Sequence, residues 1–157
     1  MSTREEFMQR AIELARKGML AGDGGPFGAV IVRDGEIIGE GWNRVRADND
    51  PTAHGEVSAI RDACRRAGSP HLEGCEIHTT GEPCPMCLGA IHWARIGRIY
   101  YGFRIEDAER GGFDDRTFYE RFARPAGDSP IPASQLLGEE AAALIDEFLA
   151  LPDRARY

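Results

Sequence analysis

Apolar residues Phe7, Met8, Ala11, Ile12, Ala15 and Met19 recur at helical spacing behind Thr3 and Glu6, which form a capping-box pattern. They predict a first helix ending near Gly18 to Gly22. The glycine-rich segment Gly22-Asp23-Gly24-Gly25-Pro26 leads into an apolar run from Phe27 to Val32. Asp34-Gly35 supplies a hairpin turn, and Glu36 to Trp42 the return strand. Asp50 before Pro51 reads as a cap followed by proline at the first position of a second helix through Ala67. Val57, Ile60 and Ala63 lie on its expected buried face, and His54 and Glu56 fall in its opening turns. Further on, the pattern predicts a strand over Cys75 to Thr80, a proline-opened helix over Pro85 to Ala94 and a strand over Arg98 to Gly102. A short helix over Ile105 to Arg110, a loop over Gly111 to Asp115 and a last helix around Glu139 to Leu149 complete the chain. Alternating helices and strands indicate an α/β fold in which helices cover a central sheet.

The 157 residues, 42% of them apolar, suit one domain over 1–157. There is no run of roughly 18 apolar residues and no basic segment before a hydrophobic stretch, so the expectation is a soluble, unprocessed cytoplasmic protein with no membrane partner. The formal net charge of −7 disfavours a polynucleotide partner. Arg61, Arg65 and Arg66 cluster, but three arginines on a helix are expected to form a solvated face.

Four cysteines are present, and two of them stand in Cys84-Pro85-Met86-Cys87. In a chain of this length without a secretory signal, that pair suggests metal or redox chemistry rather than a disulfide framework. Cys64 and Cys75 are expected to serve packing. A catalytic zinc takes three protein ligands and keeps a fourth position for water; His54, Cys84 and Cys87 supply one such set, hence one zinc per chain. The start of the proline-initiated helix favours the thiolate forms. His54-Gly55-Glu56 places a carboxylate beside the histidine, and two such side chains converge most readily off a helix end. His71, His78 and His92 are candidate ligands by residue type alone and are assigned structural roles, while Trp42 and Trp93 read as core or interface aromatics.

His-x-Glu followed by Pro-Cys-x-x-Cys is the signature of zinc deaminases. The chain resembles the cytidine-deaminase-like superfamily, and within it the small bacterial guanine deaminases. The likeness runs through Gly24-Gly25-Pro26-Phe27-Gly28-Ala29, Asn43, Pro51-Thr52-Ala53-His54, Glu82-Pro83-Cys84-Pro85-Met86-Cys87-Leu88-Gly89-Ala90 and Gly112-Phe113-Asp114-Asp115. It departs from the family at Gly55, where alanine is usual, and at Gly81, where cysteine or a similar residue is usual. The resemblance implies a three-layer α/β/α sandwich with a central mixed sheet. It also implies a homodimer in which a C-terminal segment, about 116–157, is exchanged so that Tyr157 enters the partner's site. Phe27 would bound the base, Asn43 would hold its edge, Gly55 would offer its amide, and Asp115 would bind the base and deliver a proton.

Zinc brings the pKa of water toward about 7, and Glu56 would then carry the water proton to a ring nitrogen. The favoured substrate is a nucleobase, with guanine giving xanthine and ammonia. Guanosine, cytosine or tRNA adenosine deamination on the same fold remain alternatives. So does a zinc-stabilised binding module without activity, although such a site normally closes zinc with a fourth protein ligand and none is evident.

Overall fold

A computed structural model describes residues 3–125, 128 and 130–157; Met1, Ser2, Ala126, Gly127 and Ser129, which fall inside the expected domain and tail, lie outside the described residues. Contacts divide the chain into two units, 1–119 and 120–157.

The first unit opens with α1, Arg4–Ala21. Thr3 Oγ1 accepts from the Glu6 amide and the Glu6 carboxylate accepts from the Thr3 amide, so the expected capping box is present. Gly22, at φ +78°, ends the helix in the left-handed conformation. The buried stripe is Phe7, Ala11, Leu14, Ala15 and Gly18. Ile12 and Met19, expected inside, are exposed because the stripe runs down Leu14 and Gly18 instead, where the helix meets the sheet.

Strands β1 (Gly28–Arg33) and β2 (Glu36–Trp42) form the expected hairpin. Asp34 and Gly35 both have positive φ, the requirement of a two-residue turn that matches strand twist. Helix α2 (Gly55–Ala67), strand β3 (Glu76–Gly81), helix α3 (Pro85–Trp93) and strand β4 (Arg98–Phe103) follow. Short helices α4 (Ile105–Arg110) and α5 (Asp115–Phe122) come next. The sheet order is β2-β1-β3-β4, antiparallel except for the β3–β4 pair.

Alternation along β1 sends Ala29 and Ile31 to one face and Val30 and Val32 to the other, and both faces are covered. Val30 and Val32 join Phe7 and Leu14 of α1. Ala29 and Ile31 join Ala59 and Ala63 of α2, Ile77 of β3 and Ile91 of α3. The result is the expected three-layer α/β/α sandwich with a mixed sheet. Fully buried Leu14, Ile31, Leu72 and Ile77 each contribute about 1.5–3 kcal/mol of transfer free energy.

On α2 the buried apolar positions are Ala59 and Ala63, with Val57 and Ile60 only half-buried. The reason is close approach: a Cβ on Gly41 of β2 would lie 2.3 Å from the Ala59 nitrogen, so only small residues fit between helix and strand. Cys75 belongs to this core and Cys64 packs at its edge. His78 is buried, stacked on Tyr100 at 4.7 Å with Phe7 edge-on, and its Nε2 lies 3.0 Å from Glu76.

In the second unit, 120–157, α6 spans Gly138–Ala150, close to the expected Glu139 to Leu149, and has no buried residue. Leu144, Ile145, Phe148 and Leu149 are exposed along it.

Candidate active site

The site is built where β1 begins, β2 and β3 end, and α2 and α3 start. Helix α2 begins at Gly55 with His54 as its N-cap, not at Pro51. Asp50 turns the chain earlier: its carboxylate accepts from both the amide and hydroxyl of Thr52, each at 2.8 Å. His54 has extended backbone, φ −70° and ψ 159°, and makes no capping bond with its own helix, which leaves its imidazole free to face inward. Glu56 lies in the first turn. The convergence expected of the His-Gly-Glu triplet is therefore achieved at a helix end, four residues later than the sequence pattern suggested.

Helix α3 starts in the expected place. Cys84 is its N-cap, Pro85 occupies the first turn, and the Cys84 sulfur accepts from the Cys87 amide at 3.5 Å. His54 Nδ1 lies 3.6 Å from Cys84 Sγ and 3.4 Å from Cys87 Sγ. Among the described residues these three form the group that could ligate a metal, all donor atoms lying within 4.8 Å of one another. Tetrahedral zinc with bonds of 2.0–2.3 Å sets its ligands roughly 3.5–3.8 Å apart, so the donor set fits zinc in size as well as in chemistry.

Electrostatics agree. A hydrogen bond from Cys87 is the first cause that pulls the Cys84 thiol down to about 4, and the Cys84 thiolate in turn pushes the Cys87 thiol up. Metal binding requires both thiols deprotonated, so a cation set against the pair would release the Cys87 proton. The Cys84 thiolate also raises the pKa of His54. Glu56, only 4% exposed, accepts from Cys87 Sγ at 3.4 Å, and its carboxyl is raised chiefly by burial. Asp115, half-buried, is raised by burial first and the Cys84 charge second.

These groups open on a cavity of about 430 Å³ lined by Phe27, Asn43, His54, Glu56, Cys84 and Asp115 among others. Phe27 precedes β1 and Asn43 follows β2, joined by a hydrogen bond from the Asn43 amide to the Phe27 carbonyl. The Asn43 carboxamide oxygen accepts from the Val45 amide at 3.1 Å. Gly55 is buried with its α-carbon turned to the Phe27–Gly28 backbone, where a Cβ would lie 3.1 Å from the Phe27 oxygen. Tyr157 belongs to the second unit and is exposed.

Glu82 and Phe113, which stand in the motifs that carry the resemblance but were given no site role, also line the cavity, as do Val45 and Arg46, which the sequence did not single out. Phe113 meets Phe27 edge-to-face at 4.8 Å, and Phe103 does so from another side at 5.6 Å. Asp115 opens α5, a helix missed by the sequence pattern although Phe118, Tyr119 and Phe122 carry helical spacing. A larger cavity of about 710 Å³ lies at the opposite end of the sheet, beside the start of α1, away from the thiolates and the imidazole. His71 and His92 lie outside the site; His71 sits 3.8 Å from Glu73, and His92 is exposed. Trp42 donates to Asp23 at 2.8 Å, while Trp93 is exposed rather than part of the core.

Residues 1–103 match the family model for the cytidine and deoxycytidylate deaminase zinc-binding region. The chain belongs to this zinc-binding deaminase family. It is 52% identical to a guanine deaminase of Bacillus subtilis over 132 residues, 84% of this chain and 85% of that protein. It is 39% identical to a tRNA-specific adenosine deaminase of Agrobacterium fabrum, covering 94% of this chain and 95% of the relative. A crystal structure of B. subtilis guanine deaminase superposes with a TM-score of 0.95 at 46% identity, covering 99% of both chains. As a member of this deaminase family the protein is a zinc-dependent aminohydrolase. Among the described residues no helix is long and apolar enough to cross a membrane.

Proposed function

We propose that this deaminase converts guanine and water to xanthine and ammonia, with His54, Cys84 and Cys87 holding zinc and Glu56 moving the proton. The observation that carries the reading is the gathering of His54, Glu56, Cys84, Phe27, Asn43 and Asp115 around one cavity large enough for a purine base. The similarity to B. subtilis guanine deaminase supports the choice of base.

Bound by the three donors, zinc supplies the Lewis acidity that makes water a nucleophile near neutral pH. Glu56 takes a proton from the attacking water and delivers it to ring N3 as the oxygen bonds to C2. Burial of Glu56 excludes bulk solvent from that transfer and raises its proton affinity, which suits a group that must accept and then give. Asp115 passes the remaining proton of the new C2 hydroxyl to the amine as the C2–N bond breaks, leaving the carbonyl of xanthine and free ammonia. Phe27, braced by Phe103 and Phe113, bounds the ring face. Asn43, its oxygen committed to Val45, offers its amide N–H groups to an acceptor on the base edge.

A small free base suits the surface better than a polynucleotide. Arg61 pairs with Asp50, and Arg65 and Arg66 pair with Asp62, so the arginine cluster on α2 is an ion-paired, solvated face. The working form is a cytoplasmic homodimer. Four free cysteines suit a reducing compartment. The uncovered apolar side of α6 supports packing of residues 120–157 against a second chain, with Tyr157 reaching the partner's site. Ammonia release measured across guanine, guanosine, cytosine, cytidine and adenine tests the substrate; faster release from any compound other than guanine overturns it.

A further inference from the structure

Asp115 occupies the first turn of α5, and Tyr119 follows four residues later, so both lie on one side of that helix. The Tyr119 hydroxyl donates to the Pro83 carbonyl at 2.5 Å. Pro83 immediately precedes Cys84, the N-cap of α3 and a member of the metal-ligating group. The phenol therefore ties the helix that carries Asp115 to the loop that carries a zinc ligand. Other bonds fix the neighbouring chain: Arg116 pairs with Glu109 at 2.9 Å and Glu106 at 3.3 Å, linking α5 to α4, and Glu82 accepts from the Ile105 amide at 3.2 Å. The arginine contacts are exposed and worth little individually. Tyr119 is half-buried, and its bond joins α5 to the residue next to Cys84.

We propose that Tyr119 is a positioning residue that sets Asp115 against the zinc site by anchoring α5 to the Pro83 carbonyl. The proposal rests on the reading of Asp115 as the group that protonates the leaving amine. A proton donor must stand within hydrogen-bond reach of its target, and misplacement by about 1 Å can cost as much as 10²-fold in rate. The aromatic ring supplies packing that phenylalanine would keep, so the hydroxyl can be tested apart from the ring.

The test uses the zinc-loaded full chain with Tyr119→Phe, Asp115→Asn and the double substitution. Tyr119→Phe should keep one zinc, leave KM within about twofold, lower kcat about tenfold and speed amide exchange over residues 115–122. Added to Asp115→Asn, it should cost nothing further, because the group it positions is already disabled. Lost zinc, unchanged exchange, or an equal kcat loss in both backgrounds overturns the proposal. Amide exchange involves no substrate, so a wild-type protein inactive on guanine would overturn the substrate assignment while the tether is still read directly. The kinetic cycle is then run on whichever base of the panel is turned over.

Discussion

Gly81 on β3 and Phe103 on β4 share one space: a Cβ on Gly81 would lie 2.5 Å from Phe103 Cε2. The residues are register partners in the parallel pair, and the absent side chain of one makes room for the ring of the other. That ring braces Phe27 at the cavity wall. The space left by glycine at position 81 is thus taken by an aromatic brace at the cavity wall.

Gly81→Ala should displace Phe103 and loosen Phe27. Overpacking costs about 1–3 kcal/mol, and the expected result is a lower Tm together with a severalfold higher KM for guanine. Phe103→Leu in the Gly81→Ala background should recover much of the Tm by giving the methyl group room. A Gly81→Ala protein with unaltered Tm and KM would show that the ring moves aside freely.

Cys84→Ala and Cys87→Ala should each abolish stable zinc binding, because two donors remain where catalytic sites use three. Metal analysis of purified protein should fall from one zinc per chain to a small fraction. Full occupancy in either variant contradicts the ligand set. Removing zinc from the wild type with a chelator should stop turnover and lower Tm, and added zinc should restore both.

Glu56→Gln should retain zinc and lose turnover by about 10²–10⁴-fold or more, since an amide cannot accept the water proton. The substitution preserves size at a position only 4% exposed, so folding should be maintained. Turnover within a few-fold of wild type would remove Glu56 from the mechanism.

Deleting Tyr157 should weaken guanine turnover without altering zinc content or Tm if the segment 120–157 completes the partner's site. Mixing Glu56→Gln chains with Tyr157-deleted chains sharpens the measurement. If the tail crosses, one site of the mixed dimer carries both defects and the other neither, and activity recovers to about half of wild type per dimer. Absence of recovery argues that each tail serves its own chain.

Local signals in the sequence were strong wherever one residue's covalent chemistry decides conformation. Thr3 with Glu6 marked the start of α1, Asp34-Gly35 the hairpin, Pro85 the start of α3, and the type and spacing of His54, Glu56, Cys84 and Cys87 the zinc deaminase signature. The start of α2 was misplaced because Asp50 has two uses for its carboxylate, capping a helix or closing a turn on Thr52, and the surrounding fold selects the second. Helix α5 escaped because its few apolar residues, Phe118, Tyr119 and Phe122, give little burial signal in so short a segment.

By itself, then, the sequence determined the His-x-Glu and Pro-Cys-x-x-Cys signature and the order of helices and strands apart from α5, since these depend on side-chain chemistry and on spacings within a few residues. Tertiary structure decided that His54 would cap α2, that Asp115 would ride on a helix tied to Pro83, and that Phe103 would fill the space over Gly81 to brace Phe27. Each of those depends on atoms brought together from distant parts of the chain, where sheet register and the close approach of helices to glycine-bearing strands set distances that no local pattern encodes.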